Sequence, residues 1–135
     1  MRAVRDSPRP AQVGTEWLVD AHGCSPDRLE RLEPARDALD RVVADLELQV
    51  LERVWHRFGP PGGVTGLYLL TESHLACHTY PESGIATFNL YCCRPRPEWP
   101  WADRLAGLLG ATSVVVRRTS RGESPPAAAP PIGRP

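Results

Sequence analysis

Apolar residues recur along this chain with two different periods, and the switches between them mark its elements. Residues 16–21 alternate, with Trp17, Val19 and Ala21 on one face, and predict a first strand. Ser25 followed by Pro26 predicts a helix start, and Pro34 a break or restart of that helix. Ala35, Ala38, Leu39, Val42, Val43 and Leu46 then recur at helical spacing. Strands are expected over 48–56 and 64–71, separated by Gly59-Pro60-Pro61-Gly62-Gly63. A hairpin follows, with arms 74–80 and 85–93 around a turn at Pro81-Glu82-Ser83-Gly84. Trp101, Leu105, Leu108 and Leu109 predict a second helix, stopped by Gly110, and residues 113–116 a last strand. Strands punctuated by two helices predict an α+β two-layer sandwich, its largely antiparallel sheet carrying both helices on one face.

Alternation also sorts the hairpin's side chains. His74, Ala76, His78 and Tyr80 share one face, and Leu75 and Cys77 the other. On the next arm Ala86, Phe88, Leu90 and Cys92 form an apolar face, opposite Thr87, Asn89, Tyr91 and Cys93. Cys92 is therefore expected in the core, and Cys93 among polar groups.

Composition narrows the chemistry. The 135 residues suffice for one domain, expected over 13–118, between a tail at 1–12 and a Pro/Ala-rich tail at 119–135. Formal net charge is +0, which gives no footprint for a nucleic acid or an acidic membrane. No apolar run approaches the ~20 residues of a membrane helix. The four cysteines lack C-x-x-C spacing, and arginines rather than an apolar leader follow Met1, so a reduced cytoplasmic protein is expected. Every basic residue is arginine; with no lysine, a Schiff-base lysine and an ordinary pyridoxal-phosphate enzyme are excluded.

The stretch Thr71-Glu72-Ser73-His74-Leu75-Ala76-Cys77-His78-Thr79-Tyr80-Pro81-Glu82, followed at a distance by Cys92-Cys93, carries the most specific signal. It resembles the self-cleavage segment of the short-chain prokaryotic S-adenosylmethionine decarboxylase proenzymes. The resemblance spans most of 13–116 and is dense from His56 to Cys93. It implies that the chain cuts itself between Glu72 and Ser73, and that Ser73 becomes a covalent pyruvoyl cofactor forming a Schiff base with the substrate amine. It assigns His78 as the processing base, Cys93 as the proton donor in decarboxylation, and Thr65 as a hydroxyl assisting processing. Phe58 and Tyr80 would stack on the adenine of S-adenosylmethionine, and Glu82 would hold the ribose. No metal is implied, and a homodimer of cleaved protomers is expected.

Some positions depart from the family pattern. Tyr80 stands where tryptophan is common, Asn89 replaces a frequent aspartate and so removes an acid from the site face, and Arg94 with Pro95-Arg96-Pro97 follows Cys93. Other readings of single residues are structural. Cys77 and Cys92 suit buried small hydrophobes, Trp99 and Trp101 packing anchors, and His74 a part in shaping the cleavage bond. A zinc site from Cys77, His78, Cys92 and Cys93 is opposed by their split between two faces. Three functions remain open: a decarboxylase of S-adenosylmethionine that supplies the aminopropyl donor for spermidine, a same-fold pyruvoyl decarboxylase of arginine or ornithine, and an uncleaved binding or regulatory protein.

Overall fold

The computed structural model describes residues 13–125 and residue 132; the expected tail at 1–12 and most of the Pro/Ala-rich stretch lie outside the described residues. Six strands build one sheet: β1 (Gly14–His22), β2 (Val50–Arg57), β3 (Val64–Leu70), β4 (Ser73–Tyr80), β5 (Ile85–Cys92) and β6 (Ser113–Arg121). Their spatial order is β2-β3-β4-β5-β1-β6, with every pair antiparallel. Three helices, α1 (Pro26–Glu30), α2 (Leu32–Leu46) and α3 (Trp101–Leu109), complete the two-layer α+β architecture, α2 and α3 being the main ones.

The expected break in the first helix occurs at Arg31, whose extended backbone (φ −94°, ψ 148°) separates α1 from α2. Pro34 then sits inside the first turn of α2, where its missing N–H costs no hydrogen bond. Left-handed residues end both main helices: Glu47 after α2 and Gly110 after α3. The last strand differs more. It runs to Arg121 rather than ending at Val116, pairing Thr119 with Glu16 and Arg121 with Gly14. Thr119, Ser120 and Arg121, expected to belong to the Pro/Ala-rich tail, are sheet residues held by backbone pairing.

Helices cover one face only. Leu29, Ala35, Ala38, Leu39, Val42, Trp101, Leu105 and Leu109 pack on Trp17, Val19, Tyr68, Leu75, Phe88 and Leu90 of the sheet, all buried. The anchoring role expected of Trp99 and Trp101 is what they have: both are buried in edge contact, and Trp99 Nε1 donates to Asp45 Oδ2 at 2.8 Å. Cys77 and Cys92 lie in this core, whereas Cys93 is exposed. The opposite face has no covering layer among the described residues. Leu18, Val54, Leu67, Leu69 and Val115 are exposed there, between 39% and 57%. The candidate chemistry stands on this open face.

Candidate active site

A two-residue turn, Thr71-Glu72, joins β3 to β4 and pairs Leu70 directly with Ser73. The tight reversal leaves Ser73 at φ +140°, a conformation that costs a non-glycine residue on the order of 1–3 kcal/mol. Flanking contacts hold it there. The Glu72 carbonyl accepts the Cys93 N–H at 3.1 Å, and Ser73 is in register with Cys92. Glu72 itself is buried, and its carboxylate takes three contacts from Arg96: Nη2 to Oε2 at 2.6 Å, and Nε to Oε2 and Oε1 at 3.1 and 3.3 Å. That bonding holds the Arg96 guanidinium still more firmly protonated. Behind the pair, burial and then the Glu72 charge push the Cys92 thiol up to about 12.

From Ser73 a polar chain crosses the open face. Ser73 Oγ lies 3.0 Å from His74 Nδ1, and His74 Nε2 lies 3.0 Å from Asn89 Oδ1. Asn89 Nδ2 donates to Glu16 Oε2, and Arg121 Nη1 donates to Glu16 Oε1 at 2.5 Å. The pairing of His74 with Tyr91 and of Tyr91 with Glu16 makes these diagonal neighbours on adjacent strands, within reach of longer side chains. Burial pushes the Glu16 carboxyl up, but the hydrogen bonds from Asn89 and Arg121, with the Arg121 and His74 charges, together hold it below its usual value. Asn89 carries no acid at its own position, but β1 places the Glu16 carboxylate one contact further along.

The remaining residues gather elsewhere. Thr65 Oγ1 and His78 Nδ1 are 2.5 Å apart across paired positions of β3 and β4. The His78 imidazole meets the Phe58 and Tyr80 rings edge-on, with centroids 5.8 and 4.4 Å away. Phe58, Gly63, His78, Tyr80 and Glu82 line one hollow of about 230 Å³. Gly63 makes room there: a Cβ would stand 2.2 Å from the Thr79 carbonyl oxygen. A longer hollow of about 400 Å³, bordered by Leu18, Thr65, Ala76, His78 and Asn89, continues along the open face.

Two groups thus emerge. Glu72, Ser73 and Cys93 converge at one end of β4, and Thr65, His78, Phe58, Tyr80 and Glu82 at the other. Five residue steps of strand lead from Ser73 to His78, about 16 Å at the usual rise, so one chain does not bring them together. Arg96 and Glu16 were not among the site residues expected from sequence, and His74 was expected only to shape the cleavage bond. The rigid Pro95-Arg96-Pro97 run was a signal for the first, and polar alternation along β1 for the last.

The family described as S-adenosylmethionine decarboxylase matches residues 15–122. This chain belongs to that family. Similar curated proteins carry the name S-adenosylmethionine decarboxylase proenzyme. That of Moorella thermoacetica is 31% identical over 87% of this chain and 95% of its own. That of Carboxydothermus hydrogenoformans is 30% identical over 82% and 87%, and that of Aquifex aeolicus 37% identical over 60% and 59%. The crystal structure of the Aquifex aeolicus adenosylmethionine decarboxylase superposes with a TM-score of 0.71 at 27% identity, covering 88% of this chain and 98% of that one. Membership makes the chain a decarboxylase. No helix of the described residues is long and apolar enough to cross a membrane.

Proposed function

We propose that this protein is a self-processing proenzyme that cuts itself between Glu72 and Ser73 and then decarboxylates S-adenosylmethionine, giving the aminopropyl donor for spermidine. The observation that carries the reading is the junction itself: a serine at φ +140°, its preceding carbonyl already held by the Cys93 N–H at 3.1 Å. Attack of Ser73 Oγ on the Glu72 carbonyl carbon turns the peptide into an ester, and the Cys93 N–H stabilises the oxyanion on the way. Relief of the Ser73 backbone favours the same step. Loss of the Ser73 α-proton then expels the Glu72 main-chain carboxylate as the new C-terminus, and addition of water to the dehydroalanine releases its nitrogen as ammonia and leaves the pyruvoyl group. The products are a β chain ending at Glu72 and an α chain beginning at the converted Ser73.

His78 is the base for the α-proton in this reading, with Thr65 holding its Nδ1. Because it stands about 16 Å along the strand from Ser73 in its own chain, it serves the Ser73 of a second copy. The open sheet face supplies the means. Leu67, Leu69, Val54 and Leu18 expose an apolar surface that a second sheet would cover, in a symmetric homodimer whose two strand ends meet in opposite order.

The junction fits the pyruvoyl group, since Ser73 heads β4 and the carbonyl before it accepts the Cys93 N–H. Once formed, the group supplies the carbonyl that takes up the substrate amine and withdraws electrons as CO2 leaves. Cys93, exposed beside it, delivers the proton to the substrate α-carbon. Phe58 and Tyr80 offer π faces to the adenine and sulfonium, and Glu82 accepts the ribose hydroxyls. The test is intact mass followed by CO2 release from S-adenosylmethionine, arginine and ornithine. Two pieces and turnover of the sulfonium substrate are expected. A permanently full-length chain overturns the processing reading, and turnover of an amino acid alone overturns the substrate.

A further inference from the structure

The hydrogen-bond chain on the open face has a direction, fixed at its far end. Arg121 only donates, so the Glu16 oxygens that it and Asn89 reach both act as acceptors. A carboxylate accepts and does not donate, so the Asn89 atom facing Glu16 is its NH2 nitrogen. The Asn89 oxygen consequently faces His74, and the ring nitrogen 3.0 Å from it, Nε2, must carry a proton. In the neutral ring Nδ1 is then the bare nitrogen, and it lies 3.0 Å from Ser73 Oγ. With the ring neutral, one arrangement of protons satisfies all four contacts: the Ser73 hydroxyl donates to His74.

We propose that His74 is the catalytic base for the first processing step, distinct from His78, and that Asn89, Glu16 and Arg121 position it. The proposal rests on the self-processing reading and divides its two steps between two histidines. As Ser73 Oγ bonds to the Glu72 carbonyl carbon, its proton passes to His74 Nδ1. As the bond from that carbon to the Ser73 nitrogen breaks, the same proton is returned to the nitrogen, which leaves as an amine. The amide has become an ester with no net gain or loss of protons, and His74 is neutral again. The Glu16 carboxylate, one contact behind, stabilises the transient imidazolium. Because the proton is needed only between neighbouring atoms of Ser73, this step is complete within one chain, unlike the α-proton removal.

Hydroxylamine separates the two steps, because it cleaves an ester and spares an amide. Full-length chain freshly made in a cell-free system is incubated over time, and samples are weighed with and without hydroxylamine. His74→Gln should cut slower by about 10² to 10⁴, the usual contribution of a general base, and its full-length chain should resist hydroxylamine. His78→Ala should also persist at full length, but as a hydroxylamine-labile ester. Asn89→Leu, an open-face change that removes both the acceptor fixing the ring and its link to Glu16, should slow cutting about 10- to 100-fold, again with a resistant precursor. Asn89→Leu decides the matter if His74→Gln does not fold, as judged by near-ultraviolet circular dichroism. A labile ester accumulating in either variant, or cutting at the wild-type rate, overturns the assignment. A wild-type chain that neither cuts nor forms an ester overturns the self-processing reading beneath it.

Discussion

Arg96 offers the sharpest test of how the cleavage junction is held. Its guanidinium makes three contacts with a Glu72 carboxylate whose side chain is 3% exposed, while Arg96 itself is 20% exposed. Arg96→Met keeps most of the stem and removes the charge, leaving Glu72 buried without a cation. Losing one partner of a buried pair costs about 3–5 kcal/mol. The partial exposure of Arg96 lets water reach the vacated site, so about 3 kcal/mol, the lower end, is expected. For a domain of this size that corresponds to a fall in Tm of about 12 °C. The measurement belongs in a Ser73→Ala background, where chains stay uncut, and at fixed protein concentration, because assembly shifts apparent stability. Adding Glu72→Gln removes the stranded charge, so the pair of changes should recover about 1–2 kcal/mol over Arg96→Met alone. A drop in Tm within about 2 °C, or a pair less stable than the single variant, would refute the claim that the ion pair clamps the junction.

Cutting in trans is testable by mixing: a His78→Ala chain co-expressed with a Ser73→Ala chain should be cut at its own Glu72–Ser73 bond, whereas either variant alone stays whole, and an uncut mixture would sink the two-copy site. Cys93→Ala should still cut yet lose about 10² to 10⁴ in turnover, with Cys92→Ala sparing the chemistry, measured as CO2 released per cut chain. Thiol titration should find Cys93 reactive in the folded protein, and Cys77 and Cys92, both pushed up to about 12 by burial, reactive only on unfolding. The same two thiols ionise more easily unfolded, so their contribution to stability is intact below pH 9.0 and is lost as pH rises toward about 12; denaturant midpoints over that range check the sign.

Local pattern was enough for the layers of this fold. Two-residue alternation separated Trp17, Val19, Leu75, Phe88 and Cys92 from the open face, and helical spacing separated Ala35, Ala38, Leu39 and Val42, because burial obeys those periods directly. The Glu72-Ser73 junction and the offsets to His78 and Cys93 were equally legible, being distances along the chain. Three matters depended on distances across it. The end of β6 rests on backbone pairing with β1, which polar Thr119 and Ser120 do not advertise. The partners of the junction, Arg96 for Glu72 and Asn89 with Glu16 for His74, come from segments 24, 15 and 73 residues apart in sequence. Finally, the sequence placed Ser73 and His78 in one site, whereas extended backbone holds them at opposite ends of a strand; spacing along a chain shows how far apart two residues are in sequence, but only the sheet shows that this stretch is extended and keeps them apart.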